Sequence, residues 1–135
     1  MTSAYHFLVV DDIPCARYVV VALLRTLGHV HISEAGDGEQ ALRLLNSGDP
    51  ATPIDIVLTD WNMPVMNGMA LLRKIRADAS LSHLPVLMVT SEGAEDCIAA
   101  ALRAGADGYL EKQRLGAASL KEALDQILAG RERAA

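Results

Sequence analysis

Five short apolar runs alternate along the chain with segments whose apolar residues recur at helical spacing. The predicted strands cover residues 5–10, 30–35, 54–59, 85–90 and 108–111. This alternation is typical of βαβ units, in which a helix connects two parallel strands. Right-handed connections place the C-terminal ends of all such strands at one edge of the sheet. The sequence therefore predicts an α/β fold with a doubly wound, five-stranded parallel sheet.

The predicted helices differ in their apolar surface. The first places its apolar residues at Ala16, Val19, Val20, Leu23, Leu24 and Leu27, which is one helical face, and Gly28 suits its end. The fourth, around residues 94–104, is rich in alanine, with Ile98 and Leu102 as its main buried residues. Because little apolar area gives weak docking, we expect this helix to be the most mobile. The last helix is predicted to begin with the capping-box pattern at Ser119.

Length and composition narrow the possible functions. The 135 residues suit a single domain over residues 1–135, with an ordered core of about residues 5–130. Twelve basic and 17 acidic residues give a net charge of −5, which argues against nucleic-acid binding, because that needs a basic face. We find neither a signal peptide nor a membrane span. Cys15 and Cys97 are interpreted as free thiols, and we expect a cytoplasmic protein without membrane insertion.

Polar and charged side chains follow the predicted strands where these end. Asp11 and Asp12 follow the first strand, and Asp60 closes the third. Thr90 ends the fourth strand and Lys112 follows the fifth. An Asp-Asp pair alone is typical of a helix N-cap. Ligands of open α/β sheets, however, bind beyond the C-terminal ends of the strands, so we expect these five side chains to form one site.

Three neighbouring carboxylates persist only if they are protonated or hold a cation. Two unit charges about 4 Å apart repel by about 4 kcal/mol at an effective dielectric of about 20. Oxygen ligands without histidine or cysteine suit Mg²⁺, which completes its coordination with water or phosphate oxygens. A metal and a lysine ammonium together stabilise a phosphoryl group, and a carboxylate can itself be the nucleophile that forms an aspartyl-phosphate. The sequence therefore favours phosphoryl chemistry at this edge.

Four segments carry a resemblance to a known family, and together they extend over nearly the whole chain. They are Phe7-Leu8-Val9-Val10-Asp11-Asp12, Thr59-Asp60-Trp61-Asn62-Met63-Pro64-Val65-Met66-Asn67-Gly68, Leu84-Pro85-Val86-Leu87-Met88-Val89-Thr90 and Ala104-Gly105-Ala106-Asp107-Gly108-Tyr109-Leu110-Glu111-Lys112. In order and spacing they resemble the CheY-like receiver domains of two-component response regulators. The resemblance implies a flavodoxin-like (βα)5 fold with strand order 2-1-3-4-5.

The resemblance also implies roles for the acidic residues. Asp60 would be the phosphoacceptor. Asp12, Asp60 and the main-chain carbonyl of Asn62 would be ligands of Mg²⁺, and Asp11 would reach the ion through water.

Further residues would act on the phosphoryl group. Thr90 and Lys112 would bind it, and Tyr109 would be an aromatic switch that turns inward when Thr90 moves towards the phosphate. Asn62 and Glu92 occupy the positions at which such domains adjust the access of hydrolytic water. Taken alone, Tyr109 is an ordinary aromatic residue at the margin of a sheet.

One residue departs from the family pattern. Receiver domains usually have proline after the lysine, with a cis peptide bond before it, whereas this chain has Gln113. A cis bond before a non-proline residue costs about 3–4 kcal/mol, so we expect a trans bond. The departure affects the expected position of Lys112 and the path of residues 113–117, which adjoin the output surface of such domains (fourth helix, fifth strand, fifth helix).

The leading hypothesis is a signalling switch rather than an enzyme. A sensor histidine kinase, a phosphotransfer domain or a small phosphodonor would phosphorylate Asp60, and the altered output surface would bind or release a downstream protein target. The domain would assist its own phosphorylation and dephosphorylation. Two alternatives stay open: a phosphorylation-independent pseudo-receiver module, and a small phosphohydrolase that works through an aspartyl-phosphate. A flavodoxin is disfavoured, because Asp11 and Asp12 would repel the cofactor phosphate.

Overall fold

The computed structural model describes residues 5–48 and 51–134, with side chains up to residue 130. The strands are β1 (His6–Val10), β2 (His31–Ala35), β3 (Ile56–Thr59), β4 (Val86–Thr90) and β5 (Gly108–Glu111). The helices are α1 (Pro14–Thr26), α2 (Gly38–Ser47), α3 (Gly68–Ala77), α4 (Glu95–Arg103) and α5 (Ala117–Ala134), and a 3₁₀ helix covers Lys112–Arg114. The predicted strands were right in number and order, although four of them begin one or two residues later than expected.

The five strands form one parallel sheet in the order β2-β1-β3-β4-β5, which confirms the predicted fold class. In the register, Val10 pairs with both Ala35 and Thr59, and Thr90 pairs with Glu111. The C-terminal ends of the strands therefore meet at one edge, where the loops that follow them carry the expected site residues.

The core has two layers, one on each face of the sheet. Residues that alternate along β1, such as Leu8 and Val10, pack with α2, α3 and α4. The intervening residues, such as Phe7 and Val9, pack with α1 and α5. Because helices cover both faces, β1, β3 and β4 are apolar along almost their entire length, as expected of buried parallel strands.

The orientation of α1 differs from the prediction. Val20, Val21 and Leu24 are buried, whereas Val19, which we expected on the buried face, is 47% exposed. Val19 and Val21 flank Val20 on opposite sides of the helix, and periodicity alone does not decide which side faces the sheet. Gly28 follows α1 with a φ of 97°, which confirms its predicted role at the helix end.

The contacts of α4 also correct an expectation. Leu102 is 48% exposed, and Ala101 is the residue of this helix that is buried. A methyl side chain at the contact lets the helix approach the sheet closely, which leaves the larger neighbour outside. The greater mobility of α4 stays a prediction.

The start of α5 was predicted two residues too late. The helix begins at Ala117, so Ser119 lies inside its first turn. Its hydroxyl accepts a hydrogen bond from the Gly116 N–H at 2.9 Å and donates to the Arg114 carbonyl at 2.7 Å. Ser119 thus satisfies the N–H of the capping residue from within the helix, which is the N3 role of a capping box and not its N-cap role.

Two smaller expectations are also answered. Cys15 and Cys97 are free thiols, as expected. In the described part of the chain, none of the helices has both the length and the apolar character required to cross a bilayer.

Candidate functional site

The backbone of the sheet holds two aspartates side by side. Immediately after β1, the Asp11 N–H donates to the Ala35 carbonyl at 3.1 Å, and immediately after β3 the Asp60 N–H donates to the Val10 carbonyl at 3.0 Å. Asp11 is 3% exposed and Asp60 is 5% exposed. Hydrogen bonds that extend the sheet therefore fix both residues in a buried position.

The structure brings together the three predicted carboxylates. Single oxygen atoms of Asp11, Asp12 and Asp60 all lie within 4.8 Å of one another. Asp11 Oδ1 accepts from the Ile13 N–H at 3.0 Å, and Asp60 Oδ1 accepts from the Trp61 N–H at 2.7 Å. These main-chain bonds direct the carboxylates without neutralising their charge.

Asp12 is the least satisfied member of the cluster. Its Oδ1 atom is buried and has no hydrogen-bond partner in the described part of the chain. Buried polar atoms in native proteins almost always have a partner, so an orphaned carboxylate oxygen beside two other carboxylates indicates a cation ligand. The donors are all oxygen atoms, a set that fits Mg²⁺.

Lys112 is the first residue of the 3₁₀ helix after β5 and supplies the positive charge of the cluster. Its Nζ atom lies 2.9 Å from Asp11 Oδ2 and 3.1 Å from Asp60 Oδ2. Burial lowers the pKa of Lys112, but hydrogen bonds to Asp11 and Asp60 outweigh this effect and raise the pKa above its usual value. Residues 5–48 and 51–134 contain no cis peptide bond, so the bond before Gln113 is trans, as predicted. Lys112 reaches the cluster with this geometry.

The loop between β3 and α3 forms one wall of the site. Asn62 lies in this loop, exposed, two residues after Asp60. The loop closes through a hydrogen bond of 2.8 Å from the Gly68 N–H to the Trp61 carbonyl. A Cβ atom on Gly68 would lie only 2.1 Å from the Asp60 carbonyl oxygen, so this position requires glycine.

The same loop contains an unusual backbone conformation. Val65 has a φ of 68° and is 77% exposed, and the Met66 N–H donates to the Pro64 carbonyl at 2.7 Å. This is a three-residue turn in the left-handed region, which is strained for a β-branched residue. Valine disfavours such a conformation, so no residue of the loop predicted it.

Thr90, Glu92 and Tyr109 form a chain of hydrogen bonds beside the carboxylates. Thr90 is fully buried at the end of β4, and its hydroxyl accepts from the Glu92 N–H at 3.3 Å. The Tyr109 hydroxyl donates to the Glu92 carbonyl. Burial and, to a smaller extent, the nearby Cys97 and carboxylates raise the pKa of Tyr109 to about 12. The phenol therefore remains a donor at neutral pH.

Sequence reasoning missed one basic residue beside the cluster. Arg17, on α1, donates from Nη1 to the Asp11 carbonyl at 2.7 Å, and its Nε lies 3.0 Å from Oε1 of Glu34. An arginine in an amphipathic helix is normally interpreted as a solvated residue, so the sequence carried no signal for this contact.

A larger cavity lies elsewhere. It measures about 530 Å³ and is lined by residues near the N-terminal ends of the strands, among them His6, Leu44 and Leu81. Asp11, Asp12, Asp60 and Lys112 are not among the residues that line this cavity. The acidic cluster lies at the opposite edge of the sheet.

Comparison with known proteins gives one family match. The family model named response regulator receiver domain matches residues 7–125 of this chain. Chemotaxis protein CheY-3 of Vibrio cholerae serotype O1 is 50% identical over 120 residues, which cover 89% of this chain and 88% of the relative. Chemotaxis protein CheY of Pseudomonas aeruginosa is 48% identical over 120 residues, which cover 89% of this chain and 93% of the relative.

Solved structures with the same fold include two CheY proteins. The CheY of the CheX-CheY-BeF3-Mg complex from Borrelia burgdorferi superposes with a TM-score of 0.83 at 27% identity, covering 92% of this chain and 89% of that chain. CheY4 of Vibrio cholerae superposes with a TM-score of 0.80 at 27% identity, covering 93% of this chain and 99% of that chain.

Proposed function

The chain belongs to the response regulator receiver domain family, and from this membership we propose that it is a cytoplasmic signalling switch controlled by phosphorylation of Asp60. A sensor histidine kinase, a phosphotransfer domain or a small phosphodonor supplies the phosphoryl group. The product binds or releases a downstream protein through the surface formed by α4, β5 and α5. The names of the relatives point to chemotaxis as the process.

One observation carries this proposal. The buried carboxylate of Asp60 lies within 4.8 Å of two further carboxylates and 3.1 Å from the ammonium of Lys112. A carboxylate that is held in this way has the fixed orientation that a nucleophile needs.

The phosphotransfer step follows from this geometry. A carboxylate oxygen of Asp60 attacks the phosphorus atom and forms a new P–O bond. The bond from phosphorus to the donor nitrogen or oxygen breaks, and its electron pair leaves with the donor. In this structure Lys112 is bound to Asp60 Oδ2. After the transfer its ammonium donates to a phosphoryl oxygen. The ammonium thus stabilises the charge that develops on the transferred group.

The acidic cluster has a second task in this proposal. Asp12, Asp60 and the main-chain carbonyl of Asn62 would hold Mg²⁺, and Asp11 would reach it through water. The orphaned Oδ1 of Asp12 supports this assignment. When bound, Mg²⁺ supplies the positive charge that lets a phosphoryl group approach three carboxylates.

Switching follows from the hydrogen-bond chain beside the site. When the Thr90 hydroxyl moves to donate to a phosphoryl oxygen, it draws away from the Glu92 N–H, from which it accepts in this structure. The loop after β4 then rearranges, and Tyr109, which is bound to the Glu92 carbonyl, turns inward. The output surface changes because Tyr109 lies on β5 and the loop after β4 leads into α4, and both elements belong to that surface. Asn62 and Glu92 adjust the access of the water that hydrolyses the aspartyl-phosphate.

A fluorescence titration tests the function. Trp61 follows Asp60 directly, so we expect its emission to change on addition of Mg²⁺ and again on addition of a small phosphodonor. Intact-mass spectra should show one phosphoryl adduct. Asp60→Asn should abolish the second change and the adduct. Asp37→Asn, which alters a helix N-cap with an equally good capping residue, should abolish neither.

The possible outcomes separate the alternatives. A wild-type protein that responds to neither Mg²⁺ nor the phosphodonor would be a pseudo-receiver module. Steady turnover of an external phosphoester, without a phosphorylated protein that changes its surface, would identify a phosphohydrolase.

A further inference from the structure

We propose that Arg17 is a positioning residue that fixes the β1–α1 turn and thereby sets the cation affinity of the acidic cluster. This inference rests on the proposed function of Asp11, Asp12 and Asp60. Arg17 acts through the main chain of Asp11, to whose carbonyl it donates, and it also bonds the side chain of Glu34.

The contact of Arg17 with Asp11 completes the fixation of that residue. The Asp11 N–H is bound to the Ala35 carbonyl at 3.1 Å, and the Asp11 carbonyl accepts from Arg17 Nη1 at 2.7 Å. Both main-chain groups are therefore held. The carbonyl of Asp11 belongs to the peptide unit that leads into Asp12, so the guanidinium also restrains the backbone that carries the second carboxylate.

The guanidinium is itself held from the neighbouring strand. Its Nε atom lies 3.0 Å from Oε1 of Glu34, and the Arg17 side chain is only 23% exposed. Glu34 pairs in the sheet with Val9, and the next residue, Ala35, is the one that accepts from Asp11. The end of β2 thus positions Asp11 twice, once directly and once through Arg17. A planar guanidinium with donors in a fixed fork can make both contacts at once, which an ammonium cannot do in the same geometry.

Loss of the positioning role and loss of the positive charge would change the Mg²⁺ affinity in opposite directions. A positive charge near a cation site repels the cation, so removal of Arg17 through its charge alone would tighten Mg²⁺ binding. Loss of positioning would weaken it. Outer-shell partners of metal ligands typically change metal affinity by about 10- to 100-fold.

The test compares matched variants of the full chain. The Mg²⁺ dissociation constant is measured by Trp61 fluorescence for the wild type, Arg17→Met, Arg17→Lys and Glu34→Gln. Arg43→Met is the control, because its ion pair with Glu39 is exposed and lies within α2. The unfolding midpoint is recorded for each variant without metal.

We expect Arg17→Met and Arg17→Lys to weaken Mg²⁺ binding by about 10-fold. Glu34→Gln should weaken it by a smaller factor, and Arg43→Met should leave it unchanged. If Arg17 had only a structural role, its replacement would lower the unfolding midpoint and leave the Mg²⁺ dissociation constant unchanged. That result, or tighter binding by Arg17→Met with unchanged binding by Arg17→Lys, would overturn the proposal. Arg17→Lys retains the charge and serves as the deciding variant if Arg17→Met does not fold.

A second measurement works without metal. The Ile13 N–H bonds Asp11 Oδ1 in the same turn, so its NMR resonance and exchange rate report the position of that carboxylate. Arg17→Lys should shift the resonance and accelerate the exchange. If the wild type does not bind Mg²⁺, the proposed function fails, and an unchanged Ile13 amide in Arg17→Lys then rejects the positioning role independently.

Discussion

The hydroxyl group of Tyr109 donates a hydrogen bond to the main-chain carbonyl of Glu92, and this bond joins β5 to the loop after β4. The N–H of the same Glu92 donates to the hydroxyl of Thr90. The segment that contains Glu92 is therefore bound by Thr90, which would sense the phosphoryl group, and by Tyr109, which would transmit the change to the output surface.

Replacement of Tyr109 by phenylalanine removes one of these bonds. We expect Tyr109→Phe to destabilise the loop by about 1 kcal/mol, because a neutral hydrogen bond contributes about that much. Hydrogen exchange of the Glu92 amide should become faster. Tyr18→Phe is the control, since Tyr18 is 69% exposed on α1, and it should leave the exchange unchanged. Equal rates in Tyr109→Phe and the wild type would show that the bond does not hold the loop.

Alkaline pH should destabilise the protein through Tyr109. Its pKa is raised to about 12, chiefly by burial, whereas an unfolded tyrosine ionises near pH 10. Between these values the unfolded state releases the proton first, so the free energy of unfolding falls as the pH rises. The raised pKa of Lys112 acts in the same direction. Urea denaturation from about pH 9 to about pH 11 should show a shallower decline for Tyr109→Phe than for the wild type, and parallel curves would contradict this explanation.

Replacement of Lys112 should have opposite effects on folding and on metal binding. Lys112→Met leaves the buried Asp11 and Asp60 without their ammonium partner, so we expect a loss of about 3 kcal/mol in metal-free buffer. Mg²⁺ should bind more tightly, because the ammonium no longer competes for these oxygens, and should restore stability. Urea denaturation with and without Mg²⁺ measures both effects.

Lys121→Met is the matched control for this lysine. Its ion pair with Asp125 is exposed on α5, and removal of such a pair changes stability by at most about 1 kcal/mol. If Lys112→Met behaved like this control, the ammonium would not neutralise the cluster.

A pair of glycine substitutions tests the packing behind the site. A methyl group on Gly68 meets the Asp60 carbonyl oxygen at 2.1 Å, so Gly68→Ala must displace the backbone. We expect a loss of about 1–3 kcal/mol and slower phosphorylation of Asp60. Gly130 lies in α5 with nothing within 4 Å of its added Cβ, so Gly130→Ala should stabilise the protein by about 0.5–1 kcal/mol. Unfolding in urea measures both, and a neutral Gly68→Ala would mean that the loop yields easily.

Several parts of this molecule follow from local sequence. Apolar runs that end in Asp11 and Asp60 mark buried strands with polar C-terminal ends, and the handedness of βαβ connections brings those ends together. Lys112 joins the cluster for the same reason, although it lies 52 residues from Asp60 along the chain. The pattern therefore suffices to predict which residues share the edge of the sheet.

The rotation of the helices does not follow from local sequence. Periodicity placed Val19 in the core of α1, but Val21 occupies that position. Ser119 looked like the first residue of α5 but lies in its first turn. In α1 the helical period allows either valine to face the core, and in α5 more than one nearby residue can cap the helix. Packing against the rest of the molecule selects one position in each case.

The amino-acid sequence by itself thus determined the fold class, the order of the elements and the acidic edge, because these depend on residue type and on the alternation of apolar runs with segments of helical period. Only the tertiary structure decided that Arg17 bonds the Asp11 carbonyl, that Gly68 touches Asp60 and that Glu92 lies between Thr90 and Tyr109. These contacts join segments whose separation and orientation are fixed by the packing of whole helices and strands, and a linear pattern carries no record of such distances.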